Sequence, residues 1–113
     1  MNYQVEWHPA TVAELREFSV PFKKTIKRKV EHIAANIPVS LRLETVTLIA
    51  GQDTLGINGN LYELDVAHGA KVAFLIEDNK KLLTVYMVGK HNYAYSNYLR
   101  LASERLKEDN YET

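Results

Sequence analysis

His91 follows Lys90 within Gly89-Lys90-His91-Asn92-Tyr93-Ala94-Tyr95-Ser96-Asn97-Tyr98, a run with three tyrosines. An imidazole exchanges protons near neutral pH. An ammonium can oppose charge developing on a phosphorane, and phenols offer stacking faces and hydroxyls. Together these are the parts of a metal-free ribonuclease: a base for the 2′-hydroxyl, a cation for the phosphate and an acid for the leaving oxygen. A strand ending at Lys90 and His91 would also deliver both to a helix N-terminus, where backbone amides favour an anion. Each tyrosine also has a plainer reading. Tyr95 shares an apolar stripe with Leu99, and Tyr93 and Tyr98 suit an amphipathic rim.

A second group is electrostatic. Lys23, Lys24, Lys27, Arg28 and Lys29 fall within two helical turns and are opposed nearby only by Glu31. Such a run meets phosphates or an acidic partner segment, or it is simply a solvated helix face. Charge over the whole chain is balanced, 14 basic against 14 acidic residues, which excludes a strongly basic nucleic-acid binder but not a local stripe.

Other chemistries drop out on residue type and spacing. With no cysteine there is no thiolate nucleophile, disulfide frame or Cys-based zinc site. His8, His32, His68 and His91 make no ligand pair on one helix face, and no HExxH spacing occurs. Gly51, Gly56 and Gly59 lack the Lys-Ser/Thr of a phosphate loop, and no nucleophile elbow is present. No metal and no cofactor are expected. No apolar run approaches the ~18 residues of a membrane span, and the first residues do not read as a signal peptide. A soluble, cytoplasmic protein is expected.

The elements that must position these residues follow from periodicity. The 113 residues, 46% hydrophobic and 25% charged, suit one globular domain over 1–113. Tyr3, Val5 and Trp7 alternate with polar neighbours as a half-buried strand does, up to Pro9. Thr11 and Glu14 have capping-box spacing and predict a short helix over residues 11–19. Ser19-Val20-Pro21 restarts the chain, and Phe22, Ile26, Val30, Ile33 and Ile37 mark a second helix that Pro38 closes. The two would form a helical hairpin. Residues 44–50 suit a β segment, with a loop after it. Strands are predicted over 61–66, 71–77 and 82–88, turning at His68-Gly69 and at Asp78-Asn79-Lys80. Residues 72–76 are all apolar, as in a central strand covered on both faces. A last helix starts near Asn92 and carries Tyr95, Leu99, Ala102 and Leu106, with residues 108–113 as a frayed tail. The class is α+β: an N-terminal strand, a helical hairpin, an antiparallel β-meander and a C-terminal helix.

The order of elements, with Leu61-Tyr62-Glu63-Leu64-Asp65-Val66, Lys71-Val72-Ala73-Phe74-Leu75-Ile76 and Val88-Gly89-Lys90-His91, resembles the RelE/ParE toxin superfamily. The resemblance runs from Tyr3 to Leu106, apart from residues 41–60. It implies the toxin of a type II toxin–antitoxin pair, silenced by a cognate antitoxin. RelE-like members enter the ribosome and cut messenger RNA without metal; ParE-like members poison gyrase instead. Carried over by position, Lys71 stands where RelE-like enzymes hold the scissile phosphate with an arginine, and Lys90 matches a family lysine. His91 takes a catalytic arginine position, and Tyr98 lies one residue past the catalytic tyrosine, with Tyr95 and Tyr93 as alternatives. The departure is on the first hairpin strand, where two lysines are replaced by Glu63 and Asp65. If Gly69 is left-handed in a three-residue turn, Asp65 lies across from Lys71 and the two should pair, leaving Glu63 facing any RNA. The alternative function is a member that cuts no RNA, either ParE-like or a catalytically lapsed protein-binding module.

Overall fold

The computed structural model describes residues 2–66, 69–90 and 95–111, with side chains of the last segment from Arg100 to Asp109. Its centre is β4 (Ala70–Glu77), whose residues Val72 to Ile76 are all buried. Burial on both faces is what a strand without polar alternation requires. β4 pairs antiparallel with β3 (Asn60–Val66) on one side and β5 (Leu82–Lys90) on the other. β2 (Val46–Ala50) pairs antiparallel with β3 at one edge. β1 (Gln4–Trp7) closes the other edge, parallel to β5, so the sheet is mixed, in the order β1-β5-β4-β3-β2. The expected meander accounts for β2 to β5.

Helices cover both faces. α2 (Val20–Ala35) buries Ile26, Val30 and Ile33 against Val72, Phe74 and Val85, with Trp7 half-buried beside them. On the opposite face, Leu61, Ala73, Leu75 and Met87 meet Ala102 and Leu106 of α4 (Tyr95–Tyr111). Leu55 of the four-residue helix α3 (Gln52–Leu55) packs there too. α3 lies in what periodicity read as loop, and Gly56 ends it with φ +70°. Gly59 is more than a loop former: a Cβ there would meet the Ile76 carbonyl oxygen at 3.0 Å.

Local signals fared unevenly. Ser19 caps α2 by accepting a hydrogen bond from the Phe22 amide at 3.3 Å, with Pro21 in the first turn. The capping box expected for α1 does not form. α1 spans Ala10–Leu15, its cap position is Pro9, and the Thr11 hydroxyl donates to the His8 carbonyl at 2.6 Å. Glu14 turns toward the sheet instead, because stronger donors await it there. α4 runs on to Tyr111, past the point after Lys107 where fraying was expected.

Tyr3 ties β1 to the far turn by donating to Asp78. That hydrogen bond, with burial and the negative charge of Asp78, pushes its phenol pKa up to about 12. A phenol raised in the folded state contributes stability that is complete below pH 10 and is lost as pH rises through 12. Unfolding midpoints in urea should therefore fall between pH 10 and 12, and Tyr3→Phe should flatten that fall. An unchanged slope would remove Tyr3 as its source. Phe74→Ala should cost ~3–5 kcal/mol in the same titration. A cost below about 0.5 kcal/mol would be that of a surface residue.

Candidate active site

Strand β5 positions the site, and it does so through a bulge. Ala73 pairs with Met87 and Phe74 with Val85, so Tyr86 is one extra residue on the β5 side. The insertion switches side-chain parity along the strand. Val85 and Val88 share the face covered by α2, while Tyr86 and Met87 lie on the α4 face. Lys90, two residues past Val88 and opposite Ala70, leaves the sheet on the α2 side.

Past Val85, no described strand pairs with the outer edge of β5; side chains serve it instead. Glu14 Oε1 accepts from the Val88 amide at 3.0 Å, and Arg105 Nη1 donates to the Tyr86 carbonyl at 2.9 Å. The two side chains meet each other at 2.8 Å and are mostly covered. One ion pair thus joins α1, the β5 bulge and α4. Neither residue was a site candidate from sequence: Glu14 fitted a capping box, and nothing marks Arg105 apart from its neighbours on α4. His8 Nε2 lies 3.9 Å from Asp109 further along α4. Burial and a hydrogen bond to Asp109 push the Tyr86 phenol pKa well up.

The hairpin of β3 and β4 carries the acidic departure. Gly69 has φ +121° and Asp65 is the register partner of Lys71, as the turn predicted. What differs from expectation is Glu63, which is turned to the lysine and not outward. Lys71 Nζ donates to Glu63 Oε1 at 2.9 Å, a diagonal contact along the same face. Glu63 is only 8% exposed, so it is turned to Lys71 within the α4 face and does not confront solvent. The longer Glu side chain reaches the ammonium from the more buried row.

The candidates are therefore partly gathered and partly dispersed. Lys71 and Lys90 come from adjacent rows of neighbouring strands but project from opposite faces. Lys90 is exposed beside a cavity of about 260 Å³ lined by Glu14, Glu17, Met87 and Leu101. Tyr95 and Tyr98 are placed as backbone positions in the first turn of α4. His91 and Tyr93 lie outside the described residues, as does the Asn92 cap. Of the basic run, Lys24, Lys27, Arg28 and Lys29 are exposed and Lys23 is half-buried. Among the described residues no cluster of His, Asp and Glu is arranged to hold a metal ion. No described helix is long and apolar enough to cross a membrane.

No protein-family model matches the chain, and no curated protein matches it in sequence. Solved structures do match. A chain of the archaeal RelE–RelB complex from Pyrococcus horikoshii OT3 aligns over 83% of this chain and 100% of its own, with TM-score 0.67 and 16% identity. The fold is that of RelE. A free-state double arginine-to-alanine mutant of the E. coli toxin RelE aligns over 94% of this chain and 99% of its own, at TM-score 0.65 and 20% identity. The isolated E. coli RelE toxin gives 0.57 and 21%, covering 94% of this chain and 97% of its own. The RelE fold thus accounts for nearly the whole chain.

Removing one member of the Glu14–Arg105 pair leaves a mostly covered charge with fewer partners. Arg105→Gln should destabilise by ~1–3 kcal/mol, and the Glu14→Gln/Arg105→Gln double mutant by less than the sum. Additive costs in urea titrations would mean that the two side chains act separately.

Proposed function

We propose that this chain is the toxin of a type II toxin–antitoxin pair, silenced by a cognate antitoxin protein. The supporting observation is the match of RelE toxins along almost their full length, including a chain taken from a RelE–RelB complex. Within that reading, the activity we propose is metal-free messenger cleavage on the ribosome in the cytoplasm. Lys90 would hold the phosphate, His91 would move protons, and Tyr95 or Tyr98 would stack or transfer a proton. The exposed lysines of α2 would meet ribosomal phosphates, with Tyr93 as a further RNA contact. Lys71 would serve only after exchanging Glu63 for a phosphate oxygen.

One observation favours a second reading. The Glu63–Lys71 ion pair already neutralises the cation that occupies the family's phosphate-binding position. A member so wired could act without cutting RNA, as a ParE-like gyrase inhibitor or as a protein-binding module alone.

Induced expression separates the two readings. If cleavage operates, the wild type arrests growth and fragments messages on translating ribosomes, and His91→Ala slows cleavage ~100- to 10,000-fold. Glu63→Gln, which takes one carboxylate away from Lys71, should then raise activity. Growth arrest with intact messages and an equally toxic His91→Ala would sink the nuclease, and gyrase supercoiling would be measured next. Reversing Lys24, Lys27 and Lys29 to Glu should weaken ribosome binding and flatten its salt dependence. An unchanged salt slope would leave α2 a solvated face.

A further inference from the structure

A cleft of about 310 Å³ opens between α2 and the β2–β3 side of the sheet. Thr25, Arg28, Lys29 and His32 line it from α2, at the spacing of one helix face. Its apolar lining is Ile33, Leu43 and Leu64, and Thr45 adds a hydroxyl. No carboxylate lines it. Leu43 is 44% exposed, and Leu48 on the adjoining edge strand is 57% exposed, so aliphatic surface continues out of the cleft.

We propose that this cleft docks an acidic segment of a protein partner, seating one leucine-sized side chain on Ile33, Leu43 and Leu64. Flanking carboxylates would face Arg28 and Lys29. Charge complementarity sets the sign of the occupant, and the apolar lining sets its kind. A phosphate chain would use the cations but leave the aliphatic surface unmatched. Bases require aromatic platforms, and no aromatic ring lines the cleft apart from the His32 imidazole at its cationic side. The volume suits one or two side chains, too small for a folded element but enough for an anchor residue. The proposal gives the protein partner of the toxin reading a specific foothold. It rests on that reading for the partner's biological role and on the cleft alone for its chemistry.

The test titrates the ¹⁵N-labelled full chain with a synthetic acetyl-Glu-Leu-Glu-Glu-Leu-Glu-amide peptide. Backbone amide shifts should concentrate at Thr25, Arg28, Lys29, Leu43 and Thr45. Arg28→Glu with Lys29→Glu should weaken binding roughly tenfold or more, whereas Lys24→Glu with Lys27→Glu should change it by less than about twofold. Leu43→Ser, at a position 44% exposed, should weaken binding to the same extent as replacing both peptide leucines by alanine. The proposal is overturned by shifts spread along all of α2, by equal losses in the two charge-reversal pairs, or by hexauridylate occupying the cleft as tightly. It is equally overturned if the cleft amides shift with protein concentration alone, which would make a second copy the occupant. Growth arrest reports on the toxin reading and not on this titration, so either can fail while the other stands.

Discussion

One extra residue in β5, Tyr86, decides which way the end of the sheet faces. A bulge on an open edge must have its unpaired backbone groups satisfied, or the strand drifts toward another pairing. Here Arg105 takes the Tyr86 carbonyl, Glu14 takes the Val88 amide, and the two ions neutralise each other. These contacts make the edge self-sufficient without a sixth strand. They also set α1 and α4 on the two sides of one strand, and the exposed lysine that ends it lines the cavity beside Glu14. The bulge re-aims Lys90, and the ion pair keeps the bulge.

The same parity governs the acidic hairpin. Glu63 and Lys71 lie on the α4 face, where a mostly covered carboxylate and ammonium must satisfy each other. Exposed pairs contribute little, but this one is mostly covered, where water screens it less. A lysine held this way is a poor first contact for an anion arriving from solvent. Lys90 escapes that fate by pointing away from Glu63, although Glu14 and Glu17 line the cavity beside it. The cleavage proposed for this sheet end would therefore rest on Lys90 more than on Lys71.

What the sequence made legible follows the range of the forces involved. The apolar run of β4 identified a central strand because burial on both faces leaves no room for polar alternation. Ile26, Val30 and Ile33 identified the buried face of α2 for a similar reason, and the hairpin turn put Asp65 across from Lys71. Contacts settled across long separations stayed hidden. Glu14 carried a local capping signal and lost it to Val88 and Arg105, seventy-four residues away in the first case. The parallel docking of β1 on β5 is equally remote from local pattern. Register was readable for Lys71, but its diagonal ion pair with Glu63 was not.

A chain with no net charge can still be electrostatically sided. On the α4 face, Lys71 is matched by Glu63 and Arg105 by Glu14. On the α2 face, Arg28 and Lys29 flank an aliphatic cleft that no carboxylate lines, and Lys90 leaves the sheet on the same side. Leu64 at the cleft and Val88 near Lys90 are two strands apart in one register row, about 10 Å by ordinary strand spacing. Neutralised cations on one face fasten strand to strand and helix to sheet, while those on the other remain available to an anion. The division follows from strand parity, which the Tyr86 bulge resets just before Lys90. Absorbing Tyr86 into the ladder would slip the register beyond it by one residue and exchange the faces of the strand end without changing the composition at all.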